Sequence, residues 1–227
     1  MSNFYYITIA TVPHRVLDRI KKKVAENGET IHVLAEAENR VIGWESHQNF
    51  GIKLKEVASF LNRDTINNDD IVLFTDAYDV AYYGNQHEIF EKFKSLNKPI
   101  IFGCERLCNP DPNLAYKYPT MDVEFPYLNS GMYIGYAWAL QYCLYDYVYE
   151  DKDDDQRYWT HKFFKNTDLI GLDYDNLLFL NTVGIDMSMF KMDCDGGSRC
   201  AVYRDVRRPA FVHVNGPDKS LIDELMV

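Results

Sequence analysis

Asp69-Asp70-Ile71-Val72-Leu73-Phe74-Thr75-Asp76-Ala77-Tyr78-Asp79-Val80 is an acidic turn, four apolar residues, and then two carboxylates three apart. A short apolar run bounded by turn residues predicts a strand buried on both faces, as in a parallel sheet. Open α/β sheets hold their ligands at the carboxyl ends of such strands. Asp76 and Asp79 are therefore expected on a turn at the mouth of a crevice. Two hard oxygen donors there suit Mn²⁺ or Mg²⁺, and such an ion can bridge a diphosphate. An isolated D-x-x-D is also ordinary loop chemistry, so the rest of the chain has to decide.

Working outward, residues 4–11 are apolar and β-branched and predict the first strand. Pro13 is expected to open a helix with Val16, Leu17, Ile20 and Val24 on one face, closed by Gly28. Residues 31–35 predict a strand, residues 36–49 a polar loop, and Ile52, Val57, Phe60 and Leu61 the apolar face of a second helix. Ile89, Phe90, Phe93 and Leu96 mark a third helix, and residues 100–103 another strand. This alternation predicts an α/β fold with a mostly parallel, Rossmann-like sheet flanked by helices. No G-x-G-x-x-G follows the first strand, so a dinucleotide-binding domain is not indicated.

Beyond Cys104 the alternation fails. Residues 127–135 predict a turn entering a strand, and residues 137–149 a helix. An amphipathic stretch then runs to Phe164, and residues 177–180, 187–192, 201–203 and 211–214 are short strand candidates. No linker, repeat or low-complexity tract interrupts the 227 residues, which are expected to form a single domain.

The formal charge of −10 argues against nucleic acid or an anionic membrane as the main partner. A nucleotide ligand stays compatible with it, because a metal ion inverts the local field. The five cysteines include no C-x-x-C pair, which argues against a zinc site. The first residues have no basic segment, and their apolar run is broken by Thr8 and Thr11 and stopped by Pro13. The expectation is a cytoplasmic protein with reduced thiols and no transmembrane segment.

Three more clusters carry chemistry. In residues 211–219, an apolar run delivers His213, and Asn215-Gly216-Pro217 turns before Lys219. A histidine can complete a carboxylate metal site, glycine-turn N–H groups can hold phosphate, and a lysine can neutralise it. Asn129-Ser130-Gly131 offers an amide beside a glycine that a ligand can approach closely, and is also common turn chemistry. Asp153-Asp154-Asp155-Gln156 is by default a helix cap and first turn; alternatively, one carboxylate orients or deprotonates a sugar hydroxyl.

Taken in order, F-T-D-A-Y-D-V, Y-L-N-S-G-x-x-I-G, D-D-D-Q and H-x-N-G-P-x-K resemble the glycosyltransferase domain of the procollagen lysyl hydroxylases. Related collagen-modifying glycosyltransferases, including those of large DNA viruses, share the pattern. The resemblance runs from Ile9 to Lys219 and implies a GT-A fold, Mn²⁺ and a UDP-sugar donor. It implies Asp76, Asp79 and His213 as metal ligands. It places uridine against Ile9, Ala10, Thr11, Ala77 and Tyr78, and the diphosphate near Lys53, Asn215, Gly216, Pro217, Asp218 and Lys219. Trp44, Gly131 and Gln156 are also expected at the donor. Asn129, Asp153, Asp154 and Asp155 are the expected catalytic residues, the acidic run facing the transferred sugar. Glu105-Arg-Leu-Cys108-Asn-Pro resembles the family's E-x-x-C-W-P with Asn109 for the tryptophan, and Val214 stands where glycine is usual.

The expected function is transfer of a hexose, glucose or galactose, from a UDP-sugar to a hydroxyl of a protein or glycan. Two other classes fit the same residues: a non-catalytic UDP-sugar-binding scaffold, and a metal-dependent phosphohydrolase. An aspartyl phosphatase of the HAD type would need D-x-D, and here the spacing is D-x-x-D.

Overall fold

A computed structural model describes residues 2–43, 49–195 and 198–226. Eleven strands and six α-helices are assigned in it. In chain order they are β1 (Phe4–Ile9), α1 (Arg15–Glu26), β2 (Ile31–Leu34), α2 (Gly51–Leu61), β3 (Ile71–Asp76), β4 (Val80–Tyr82), α3 (Gln86–Ser95), β5 (Ile100–Glu105) and β6 (Tyr127–Tyr136). There follow α4 (Ala137–Leu144), α5 (Asp155–Lys165), β7 (Ile170–Leu172), β8 (Phe179–Asn181), β9 (Phe190–Asp195), β10 (Ser198–Tyr203), β11 (Phe211–His213) and α6 (Ser220–Leu225).

The main sheet runs β2-β1-β3-β6-β5-β7. β1 is parallel to β2 and β3, and β5 is parallel to β7. β6 runs antiparallel to β3 and β5, so one strand of six opposes the rest. Ile71 to Thr75 are all buried, as a central strand covered on both faces requires. Their register sets Ile9 beside Asp76.

A second, three-stranded sheet, β4-β11-β8, positions the site. β4 begins one residue after Asp79. β11 pairs with it so that His213 stands opposite Val80, and with β8 so that His213 stands opposite Asn181. Tyr6 of the main sheet packs edge-on against Tyr82 and Phe211 at 5.9 and 5.7 Å, which joins the two sheets. On the main sheet's other flank, Phe74, Tyr133, Phe102 and Trp159 form a chain of rings 4.8–5.1 Å apart. β9 and β10 pair antiparallel in a separate two-stranded sheet.

Several boundaries differ from expectation. The first helix starts at Arg15, where the His14 ring caps Val16 N–H, and Pro13 lies outside it. Asn129-Ser130-Gly131 is not a turn but part of the ten-residue β6. Opposite it the β5 register jumps, Phe102 facing Tyr133 and Gly103 facing Asn129, so residues 130–132 form a bulge. The helix expected over 137–149 stops at Leu144. Residues 187–189 form a 3₁₀ turn ahead of β9. β4 and β7, three residues each, were not anticipated. No described helix is long and apolar enough to cross a membrane.

Candidate active site

Asp76 ends β3, Asp79 precedes β4, and His213 ends β11. One ligand atom from each lies within 4.8 Å of the others. His213 Nε2 is 3.2 Å from Asp79 Oδ1 and 3.8 Å from Asp76 Oδ2. On the far side of the ring, Nδ1 is 2.8 Å from Asn181 Oδ1. The Asn181 amide is itself fixed, because its Nδ2 donates to Cys104 C=O at 2.8 Å. Nδ1 therefore carries the hydrogen, and Nε2 is the nitrogen that faces the two carboxylates. This is how metal-binding histidines are oriented in general. Gly131 leaves the space: a Cβ there would lie 2.3 Å from His213 Cε1 and 3.0 Å from Asp76 Oδ2. Two carboxylates and one imidazole nitrogen, converging beside a glycine, fit a Mn²⁺- or Mg²⁺-type ion.

Each carboxylate also has a cation. Lys53 Nζ is 2.6 Å from Asp76 Oδ1 and 3.6 Å from Asp155 Oδ2. Lys219 Nζ donates to Asp79 Oδ2 at 2.6 Å and to Val214 C=O at 2.7 Å. Burial pushes the Asp79 carboxyl up, but His213 and Lys219 outweigh it and hold it well below the usual range. Burial pulls the Lys53 ammonium down, and Asp155 and Asp76 more than reverse that. Asp155 is pushed up by its own burial, against the pull of Lys53.

At the end of β1, Ile9, Ala10 and Thr11 are all buried. Ala10, Leu17 and Ala77 share a small apolar cluster with Tyr78 packed on it. These side chains face inward, so the segment offers backbone to the cleft. The Tyr78 hydroxyl accepts from Thr11 N–H at 2.8 Å and Val12 N–H at 3.1 Å, which fixes its ring. Thr11 Oγ1 is, among the described residues, the one buried side-chain polar atom without a hydrogen-bond partner.

On the other side of the triad, Glu105 is a buried hub. Its Oε1 accepts from Asn129 Nδ2 at 3.1 Å and Gln156 Nε2 at 2.6 Å. Its Oε2 accepts from Asn215 Nδ2 at 3.2 Å and Asn109 Nδ2 at 3.3 Å. Burial pushes this carboxyl up, although the Asn129, Gln156 and Asn109 amides oppose the shift. The same amides hold backbone: Asn129 Oδ1 accepts Gly131 N–H, Gln156 Oε1 accepts Ser130 N–H, and Asn215 Oδ1 accepts Val183 N–H. The β6 bulge, the start of α5 and the segment after β11 are thus tied to one carboxylate.

A family model, the PLOD GT domain, matches residues 1–226. The chain belongs to the PLOD GT domain family. It is 30% identical over 96% of its length to the multifunctional procollagen lysine hydroxylase and glycosyltransferase of Caenorhabditis elegans. It is 27% identical over 96% of its length to human procollagen-lysine,2-oxoglutarate 5-dioxygenase 2. It spans 31% and 30% of those relatives, respectively. Among solved structures, a glycosyltransferase involved in glycosylation of the major capsid of PBCV-1 has a TM-score of 0.53 at 12% identity, covering 98% of both chains. That likeness shows the fold alone.

Within this PLOD GT domain the structure gathers Asp76, Asp79, His213, Lys53, Lys219, Gly131 and Asp155 at one place. The acidic run is divided. Asp155 faces Lys53 and accepts from Ser130 Oγ at 2.9 Å; Asp154 caps Arg157 N–H; Asp153 accepts from the Tyr147 hydroxyl. Gly216 sits in the left-handed region at φ +81°. Pro217 is exposed, and Asp218 caps Ser220 N–H. Trp44 lies outside the described residues. Asn181 went unread in the sequence, although it closes an apolar run at residues 177–180 much as Asp76 closes its own. Glu105 was noticed only as a letter of a motif.

Proposed function

We propose that this PLOD GT domain transfers a hexose from a UDP-sugar to a hydroxyl acceptor, with Mn²⁺ held by Asp76, Asp79 and His213. We further propose that the 227 residues make one GT-A domain. The observation that carries the proposal is the convergence of Asp76, Asp79 and His213: ligand atoms within 4.8 Å of one another, with the buried ring held by Asn181 so that Nε2 faces both carboxylates. The ion's contribution when bound is Lewis-acid stabilisation of the leaving diphosphate.

The chain's own residues do the rest. Lys53 and Lys219 now neutralise the two metal carboxylates. With those carboxylates engaged by a cation, both ammonium groups can turn to the diphosphate oxygens, where negative charge grows. The fixed Tyr78 ring supplies an aromatic face for uracil, and the backbone of residues 9–11 supplies polar groups beside it. Asp155, raised by burial, positions or deprotonates the acceptor hydroxyl. Glu105 holds the Asn129, Gln156 and Asn215 amides that frame this side.

The test is a panel of UDP-sugars assayed for UDP release with MnCl₂, with and without EDTA. Mn²⁺-dependent UDP release from one sugar is expected. Release of inorganic phosphate instead would indicate the phosphohydrolase, and UDP binding without turnover across donors and acceptors would indicate the scaffold.

A further inference from the structure

Lys219 ends the segment that follows His213 and is the N-cap residue of α6. α6 has six residues, too few to hold its shape by internal bonds. It is held from outside. Arg199 of β10 donates to Glu224 C=O at 2.8 Å, the Tyr83 hydroxyl donates to Leu225 C=O at 2.7 Å, and Arg19 of α1 donates to Met226 C=O at 3.0 Å. These are carbonyls that the end of a helix leaves without internal partners. Arg15 pairs with Asp223, and Ile222 and Leu225 are buried beneath.

The anchor shares a frame with the metal ligands. Tyr83 directly follows β4, which begins next to Asp79, and Tyr83 N–H bonds Ala210 C=O at 2.8 Å just ahead of β11. At the other end of the segment, Val214 N–H bonds Asp79 C=O at 2.8 Å. The stretch 214–219 is therefore pinned at both ends to one pair of strands. Lys219 itself is a long side chain, 44% exposed. Such a side chain has many rotamers to lose, so a fixed origin decides where its ammonium group can reach.

We propose that Tyr83, Arg19 and Arg199 are positioning residues for Lys219. They lock the carbonyl end of α6, α6 fixes the origin of Lys219, and Lys219 is thereby aimed at Asp79 and at the diphosphate of a nucleotide donor. This rests on the donor site proposed above and names three residues, none at that site, that set its affinity.

The experiment uses the full chain with Tyr83→Phe, which keeps the ring and deletes one hydrogen bond, together with Lys219→Ala and the double variant. UDP is titrated calorimetrically at saturating MnCl₂. Tyr83→Phe is expected to weaken UDP about three- to tenfold, the worth of one hydrogen bond. In the Lys219→Ala background the same change should add nothing, because both act through one ammonium group. A Tyr83→Phe variant that melts lower but binds UDP as wild type does, or that weakens binding equally with and without Lys219, overturns the proposal. Amide hydrogen exchange of residues 214–222 without ligand separates this from failure of the donor reading. Faster exchange in Tyr83→Phe and Arg19→Ala is required even if wild type binds no UDP, and unchanged exchange refutes the clamp outright.

Discussion

A methyl group on Gly131 would press on the His213 ring and approach Asp76, both members of the triad. Gly131→Ala should therefore displace a ligand more than it unfolds the chain. The expected outcome is at least tenfold weaker Mn²⁺-dependent UDP binding by calorimetry, and affinity within twofold of wild type would sink it. Asn181 acts one step further out. Asn181→Ala removes the acceptor of His213 Nδ1, and loss of such an orienting partner costs roughly 10–100-fold in metal affinity. A Mn²⁺ titration followed by electron paramagnetic resonance checks this. Asp76 and His213 were legible because each ends an apolar run, and Asp79 because it lies on the turn just past Asp76; strand ends are where such sheets keep their ligands. Asn181 was not, because its role comes from the β8–β11 register, and a three-residue strand shows no period from which register can be read. Which aspartate of the acidic run faces the cleft was equally hidden, since that depends on where α5 begins.

At the scale of elements, Asp70 fastens the start of β3 to the start of β1. Its carboxylate accepts from Asn3 N–H at 2.7 Å and Asn67 N–H at 2.8 Å while almost fully buried. Burial pushes its carboxyl up, but these donors win and hold it below the ordinary value. A depressed carboxyl contributes stability that is present above the unfolded value near 4 and is lost as pH falls through the lower folded one. Asp70→Ala should cost about 1–3 kcal/mol at neutral pH. Urea unfolding should show the gap to wild type closing below pH 4; a gap that stays constant in acid would refute the assignment. The long periodic elements, α1, α2, α3, β1, β3 and β5, were legible from their apolar spacing. The reversed direction of β6 was not, because buried parallel and antiparallel strands share one apolar pattern. Nor was the α5 approach: Gly51 lets the loop before α5 close on α2, since a Cβ there would lie 1.9 Å from Glu150 C=O. That closure brings Asp155 to Lys53.

For the whole molecule, the pH profile has a second contributor of opposite sign. Asp173 is fully buried and accepts from Leu177, Leu178 and Phe179 N–H groups, yet burial pushes its carboxyl up to about 6. A raised carboxyl contributes stability that is complete below the unfolded value near 4 and is lost as pH rises through about 6. Wild type should thus lose stability relative to Asp173→Asn between pH 4 and pH 6 in denaturant titrations, and a difference flat across that range would refute it. The triad also spans most of the chain, with its imidazole on a strand that closes the small sheet between β4 and β8. On a ribosome adding about 5–20 residues per second, His213 is made roughly 7 to 27 seconds after Asp79. For that interval the nascent chain owns both carboxylates and neither the imidazole nor Lys219. A divalent cation in the surroundings therefore meets at most two of the three clustered groups during that interval, and all three only once β11 has been made.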